Sequence, residues 1–360
     1  MNVTVLGSGN GGCAVAFDFA AHGHPVSLFD FEQFPESIVA IQDHGGIYAE
    51  GELEGFAPVV YAGHDMAQAM HGADTVIAVG PAYSTKPFGI ECRPHLKSGQ
   101  MVVVCPSSCG GSIEFKNGAG LSIRDQSVIV AETSTLPYAV RLTEPGRIKV
   151  FLKLRGGLLL AAVPGENTSH VLDLLREVYP AMEAAQNVLQ TSLQNGNPVI
   201  HPAVTLLNAA LIERTQGDFL FYEEGVTPAV GRLIEALDQE RIAIGRKLDI
   251  DIVPDPELGR QQGYMQAADY ESGYATAPGF KGIRAQRMLD NRYFHEDVGY
   301  GLVFMKDLAD LLGVETPNMS ATIQLASVLM KRDYLGEARR TMSSLGLSDY
   351  APEPLKEFLA

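Results

Sequence analysis

The opening of the chain constrains it most. Asn2–Leu6 is a short apolar run with β-branched residues, Gly7-Ser8-Gly9-Asn10-Gly11-Gly12 follows at once, and a helical pattern starts at Cys13. A G-x-G-x-x-G loop between a strand and a helix is shaped to hold the pyrophosphate of a dinucleotide. Gly7 permits the tight turn, Gly9 lets the backbone approach the phosphates, and Gly12 lets helix pack closely on strand. The helix N-terminus, with Asn10 and Gly11, adds unpaired N–H groups and a partial positive charge. Pro25–Phe29 predicts the second strand, and Asp30 ends it. An acid there bonds the adenosine ribose hydroxyls and repels a 2′-phosphate. Phe31-Glu32-Gln33 follows without a nearby Arg or Lys, so NAD (as NADH) is expected and NADP is disfavoured. The bland alternative is a ligand-free glycine turn with an Asp that caps the next helix; the combined context weighs against it.

Further along, strand and helix patterns alternate. Thr75–Val79, Met101–Val104 and Ser127–Ala131 read as buried strands, with helical spacing at Glu36–Asp43, Asp65–Met70 and Gly110–Asn117. Gly45–Tyr61 reads as a hairpin, Ile148–Leu152 and Gly157–Val163 as a closing pair of strands, and Thr168–Val178 as an amphipathic helix. This grammar predicts a Rossmann-type α/β domain with a doubly wound parallel sheet. Ligands of such sheets sit beyond the carboxyl ends of the strands. Gly80-Pro81-Ala82, Pro106-Ser107 and Glu132-Thr133-Ser134 are therefore expected to face ligand, with Pro81 and Ala82 on the cofactor.

Near Val188 the pattern changes to helical spacing: Ala203–Arg214, Pro228–Leu248, Tyr300–Leu312, Met319–Met330 and Leu335–Ser344. The expected organisation is a nucleotide-binding domain over residues 1–188 and an all-α substrate domain over residues 189–360. The 360 residues suffice for two such cores.

Lys plus Arg number 27 against 43 Asp plus Glu, a net charge of −16. Such a surface repels nucleic acid and anionic membrane. No apolar stretch approaches the roughly 20 residues of a membrane span. With the glycine loop starting at Gly7, no secretory signal is expected. Cys13, Cys92, Cys105 and Cys109 lack a matching metal-ligand pattern, so free thiols in a cytoplasmic protein and no metal are expected. Exposed faces of the helical domain leave a homodimer open.

Two stretches of the second half concentrate chemistry. Asn195-Gly196-Asn197-Pro198-Val199-Ile200-His201-Pro202 is expected to lead into a helix from Ala203 onward. His201 suits proton transfer near neutral pH, which reduction of a carbonyl or imine carbon demands; it could equally pack at a corner. Arg292-Tyr293-Phe294-His295-Glu296-Asp297 clusters charges ahead of the next helix. An Asp there could orient His201, and an Arg could clamp a carboxylate. The alternative is a solvated turn with local ion pairs. Lys153 and Arg155 read as surface residues, and Tyr138 and Arg141 as residues that could reach a ligand.

These segments together resemble the opine dehydrogenase family, which includes octopine and nopaline dehydrogenases and a bacterial carboxyethyl-norvaline dehydrogenase type. The resembling stretches are GSGNGG at Gly7–Gly12, ETSTLPY at Glu132–Tyr138, HPAVTLLNA at His201–Ala209, FYEEGVTPAVG at Phe221–Gly231, DQERIAIG at Asp238–Gly245 and NRYFHEDVGYGLV at Asn291–Val303. The resemblance implies condensation of an α-keto acid, often pyruvate, with an amino acid, and reduction of the imine by NADH or NADPH to a secondary amine dicarboxylate. It implies His201 as acid/base, Asp297 as its orienting partner, Arg292 on the keto-acid carboxylate and Thr133 at the substrate. Two rivals stand beside it: a 2-hydroxyacid, glycerol-phosphate or ketopantoate-type dehydrogenase, and a non-catalytic NAD(H) sensor that would not need His201, Arg292 and Asp297 together.

Overall fold

The computed structural model describes residues 1–350 together with Leu355, Phe358 and Leu359. The chain forms two compact units. One holds Met1–Ser107, Gly111–Thr191 and Leu359, the other Ser108–Gly110 and Ser192–Phe358.

The described residues of the first unit carry twelve strands: β1 (Val3–Leu6), β2 (Val26–Phe29), β3 (Gly46–Gly51), β4 (Gly55–Pro58), β5 (Tyr61–Gly63), β6 (Thr75–Ala78), β7 (Met101–Val104), β8 (Ile129–Thr133), β9 (Tyr138–Glu144), β10 (Arg147–Lys153), β11 (Leu158–Val163) and β12 (Met182–Ala184). Eight form one sheet in the order β12-β11-β8-β7-β6-β1-β2-β5. Its pairings are parallel except β8–β11. The order reverses at β1, and the glycine loop lies at that switch point, where doubly wound sheets bind ligand. β1, β6 and β7 are buried along their full length, as expected of strands covered on both faces.

The second sheet, β4-β3-β10-β9, departs from the sequence reading. The hairpin is real, as β3 and β4 pair antiparallel. However, β10 and β11 are not partners: β10 pairs with β9 and β3, while β11 joins the large sheet beside β8. Alternation marks each run as a strand but says nothing of which edge it takes. β9 and the Thr85–Cys92 helix escaped the sequence reading altogether.

The Asn10–Ala21 helix is fastened to this small sheet by charge. Asp18, buried on the helix, accepts from the Tyr138 hydroxyl at 2.5 Å and pairs with Lys153 Nζ at 2.7 Å. Lys153 is thus a structural ion pair rather than a surface residue, and Tyr138 points into the interior rather than at a ligand. Burial and the neighbouring Asp18 and Tyr179 push the Tyr138 hydroxyl far above its ordinary range. Arg155 is exposed, against Glu52.

The described residues of the second unit contain no strand, only an isolated bridge between Leu220 and Arg284. Helices cover Asn197–Leu207, Ala209–Thr215, Pro228–Lys247, Asp255–Gln262, Val303–Leu312 and Pro317–Met330. The first of these begins before His201, six residues ahead of the expected start at Ala203, so His201 and Pro202 lie inside it. Pro202 sits near the N-terminus, where its missing N–H costs one hydrogen bond, to the carbonyl of Pro198. The expected Leu335–Ser344 helix shortens to Tyr334–Glu337, closed by Ala338 in the left-handed region.

Candidate active site

In the first unit, steric demands separate the three glycines. Gly7 has φ +103°, and a Cβ there would lie 2.1 Å from the Val79 carbonyl oxygen. A Cβ on Gly12 would lie 1.8 Å from the Gly7 carbonyl oxygen. Both positions are closed by the protein's own backbone. A Cβ on Gly9 would meet no atom within 4 Å. Gly9 faces open space at the N-cap of the Asn10–Ala21 helix, and no side chain caps that end. The loop therefore has the form of a cradle for an anionic group on a free helix N-terminus, and the residues fit a dinucleotide's pyrophosphate.

Asp30 ends β2 as the sequence implied. Its Oδ2 accepts from Ser8 N–H at 2.6 Å and Ser8 Oγ–H at 2.7 Å, and its Oδ1 from Phe31 N–H at 2.8 Å. The acid therefore pins the glycine loop as well as presenting negative charge. Asn10 turns its side-chain carbonyl to Leu142 N–H at 2.7 Å, which leaves its backbone at the helix start. Gly11 packs beneath Leu136 and Val79. Pro81 opens the short Ala82–Ser84 turn beyond β6, and Ala82 is buried.

At the end of β8 the expectation needs correction. Glu132 does not face a ligand: it is fully buried, with Oε2 accepting from Ser112 N–H at 2.8 Å and Ser112 Oγ–H at 2.7 Å, and Oε1 from Thr191. It caps the Gly111–Ala119 helix. Thr133 is buried, with its hydroxyl donating to the Thr135 carbonyl at 2.9 Å.

In the second unit the structure joins residues ninety-six positions apart. His201 Nδ1 lies 2.9 Å from Asp297 Oδ2, and both are buried. A carboxylate can only accept, so the neutral ring carries its proton on Nδ1 and exposes Nε2 as acceptor. The Tyr222 hydroxyl donates to Nε2 at 3.1 Å. Tyr293 stacks on the imidazole at 4.1 Å between centroids, and Phe221 meets it edge-on. Nitrogen tautomer and ring plane are thus both fixed.

Local geometry explains the pairing. Asp297–Leu302 is a π-turn in which Tyr300 and Gly301 N–H both reach the Glu296 carbonyl, at 2.9 and 3.1 Å. Such widened turns are rare and recur at functional sites. A Cβ on Gly301 would lie 2.4 Å from Pro198 Cγ. The glycine therefore lets this turn seat against the helix that carries His201, which brings Asp297 to the ring.

Arg292 opens the Arg292–His295 helix just before that turn, and Asn291 caps the helix through Tyr293 N–H. Its guanidinium pairs with Glu296 at 2.7 Å, and its side chain is 52% exposed. His295 bonds Asp290 through Nε2 at 2.6 Å, and Arg332 and Tyr334 through Nδ1 at 2.9 Å each. It is a structural node. A second buried group surrounds Asp255. Tyr274 donates to it at 2.6 Å, and its N–H donates to Asp238, which pairs with Arg241. Burial, then the Asp238 charge, push the Asp255 carboxyl up to about 6.

Tyr222, Tyr293 and Glu296 were not singled out as site residues from sequence. For Tyr222 and Tyr293 the signal is membership of the FYEEG and NRYFHED stretches, because contacts between remote segments carry no spacing rule; for Glu296 it is the i,i+4 spacing from Arg292.

Each half of the chain matches a dehydrogenase domain. Residues 184–330 match the alpha-helical domain of the NAD/NADP octopine/nopaline dehydrogenases, and residues 2–107 match the N-terminus of NAD-dependent glycerol-3-phosphate dehydrogenase. The opine dehydrogenase of Arthrobacter sp. (strain 1C) is 36% identical over 351 residues, 96% of this chain and 94% of that protein. An octopine dehydrogenase solved with NADH and agmatine superposes with a TM-score of 0.75 at 19% identity, covering 100% of this chain and 96% of that one. A D-mandelate dehydrogenase solved with NADH reaches 0.62 at 14% identity, covering 92% and 99%. Fold alone therefore does not separate the dehydrogenase classes. The near-full-length identity and the helical-domain match do: this chain belongs to the opine dehydrogenase family of NAD(P)-dependent oxidoreductases that act on CH–NH groups.

Proposed function

We propose that the chain condenses an α-keto acid, pyruvate in the first instance, with the amino group of an amino acid and reduces the product with NADH to a secondary amine dicarboxylate, reversibly. One observation carries the reading: the buried His201–Asp297 pair at 2.9 Å, with Arg292 five residues before Asp297. A sensor of NADH has no use for a histidine held in one tautomer beside an arginine.

Gly7, Gly9, Gly12, the Asn10–Gly11 helix start and Asp30 hold the dinucleotide, with Pro81 and Ala82 along the same strand ends. When bound, NADH supplies the hydride. Arg292 takes the keto-acid carboxylate through a bidentate contact. His201 manages the protons at Nε2. The neutral ring first takes at Nε2 the proton that the substrate ammonium sheds to become nucleophilic, and Asp297 stabilises the resulting cation. The amine adds to the carbonyl carbon, and one nitrogen proton passes to the oxygen. The imidazolium returns its proton to that hydroxyl as the C–O bond breaks, so water leaves and an iminium remains to be reduced. Because Tyr222 occupies Nε2, the reacting oxygen must share or displace that contact. Thr133 is assigned to the substrate side. Its donor is committed to Thr135, so it can act toward substrate only as an acceptor.

Four buried thiols accord with a reducing cytoplasmic setting. Burial pushes those of Cys13, Cys92 and Cys105 up to about 12, so they stay protonated.

The test is loss of NADH absorbance with pyruvate, with and without a panel of L-amino acids. Strict dependence on an added amine supports opine formation and identifies the donor. Oxidation with pyruvate alone overturns it in favour of a 2-hydroxyacid or ketopantoate-type reductase. NADH binding without oxidation in any mixture overturns it in favour of a sensor.

A further inference from the structure

We propose that Glu296 is a positioning residue for the carboxylate clamp: it holds the Arg292 guanidinium in the orientation that receives the keto acid. The inference rests on the reading of Arg292 as that clamp.

Glu296 is 3% exposed, an unusual place for a carboxylate without a task. Oε1 accepts from Ser108 Oγ–H at 3.1 Å, while the buried Oε2 makes no hydrogen bond and lies 2.7 Å from Arg292 Nη2 as an ion pair. Ser108 is itself held. Its carbonyl and that of Cys109 accept from the Arg340 guanidinium at 2.8 Å each, and the neighbouring Gly110 N–H donates to Ser192 Oγ at 2.8 Å. Glu296 is thus fixed from behind by a braced loop and presents its other oxygen to Arg292. The backbone repeats the arrangement, since Glu296 N–H donates to the Arg292 carbonyl at 2.8 Å and the Glu296 carbonyl closes the π-turn.

Two adjacent acids therefore have parallel tasks. Asp297 fixes the ring that moves the proton, and Glu296 fixes the guanidinium that docks the substrate. Because both sit at the start of one π-turn, proton donor and carboxylate anchor are held in register by a single backbone feature. A guanidinium carries five N–H donors in a rigid fork, more than one carboxylate uses. Glu296 also offsets part of the Arg292 charge, and its loss would on that count tighten anion binding. Arg292 is half exposed, so solvent screens that term and the loss of orientation dominates.

The experiment titrates pyruvate into the NADH-loaded enzyme by calorimetry, with parent, Glu296→Gln, Glu296→Asp, Ser108→Ala and Arg292→Ala forms. Freeing one long side chain predicts pyruvate binding about five- to tenfold weaker in Glu296→Gln. Glu296→Asp, which keeps the charge, recovers part of the loss. Ser108→Ala shifts affinity the same way by less, and it carries the test if Glu296→Gln does not fold. NADH affinity is unchanged throughout, and the Michaelis constant for pyruvate rises more than turnover falls. Pyruvate binding as tight as the parent's, or tighter, in Glu296→Gln overturns the proposal while Arg292→Ala still abolishes binding. If Arg292→Ala also leaves pyruvate binding intact, the clamp reading itself fails.

Discussion

Asp297→Asn gives the sharpest test of the catalytic pair. The Nδ1–Oδ2 contact is 2.9 Å between side chains only 10% and 4% exposed. A hydrogen bond to a charged group in such a place contributes about 1.5–3 kcal/mol, which is roughly 10- to 150-fold in rate if expressed only when the ring is cationic. The substitution does more than delete charge. The new amide can donate to Nδ1, which drives the ring proton to Nε2, where the Tyr222 hydroxyl already donates. Both groups then present hydrogens to one another, and Nε2 ceases to accept. Where an Asp→Asn change inverted a catalytic histidine in this way, turnover fell about 10⁴-fold. The expectation is therefore a loss of turnover of about 10² to 10⁴, with NADH affinity within twofold of the parent. NADH absorbance under saturating keto acid and amine measures the first, and NADH fluorescence the second. Turnover within threefold of the parent would refute the reasoning, and a parallel loss of NADH binding would show that Asp297 acts on the fold.

Other outcomes follow from the same geometry. Gly9→Ala meets no protein atom, so the melting temperature holds while NADH binding falls; Gly12→Ala places a methyl 1.8 Å from the Gly7 carbonyl oxygen and lowers both. Asp30→Ala removes the Ser8 anchor with the charge, so NADH affinity falls by about tenfold or more, measured beside NADPH, rather than selectivity alone relaxing. Tyr222→Phe removes the donor on Nε2 and leaves the stack on Phe280, so the fold holds while the pH profile of turnover moves; an unchanged profile would make Tyr222 mere packing. Asp255 sets a pH test of stability. Its carboxyl stays protonated to about pH 6 in the native state but only to about pH 4 unfolded, so the native state holds the extra proton between them and this group's contribution falls as pH rises through that window. Asp255→Asn should therefore gain melting temperature relative to the parent from pH 4 to pH 6.5, and a flat difference would refute the assignment.

The sequence by itself determined what repeats locally. Glycine spacing, the apolar runs of β1, β6 and β7 and the acid at Asp30 follow from backbone sterics and burial over a few residues, so the parallel sheet and its nucleotide loop were legible. The helical spacing of Pro228–Lys247 and Pro317–Met330 was equally plain. Only the tertiary structure decided which strand edges meet. That placed β10 in a second sheet, and it turned Lys153 and Tyr138 inward onto Asp18 and Glu132 onto a helix end. The site divides the same way. His201, Arg292 and Asp297 drew notice through residue type and family resemblance. Their juxtaposition depends on a π-turn, and on a glycine that lets the turn lie against Pro198. Tyr222 on Nε2 is a contact between side chains from different segments, and no periodicity in a chain encodes it; Glu296 stands at helical i,i+4 spacing from Arg292, but its burial against Ser108 is decided only by packing. Local geometry is written in neighbouring residues, whereas a catalytic constellation exists only once packing has closed the distance between remote ones.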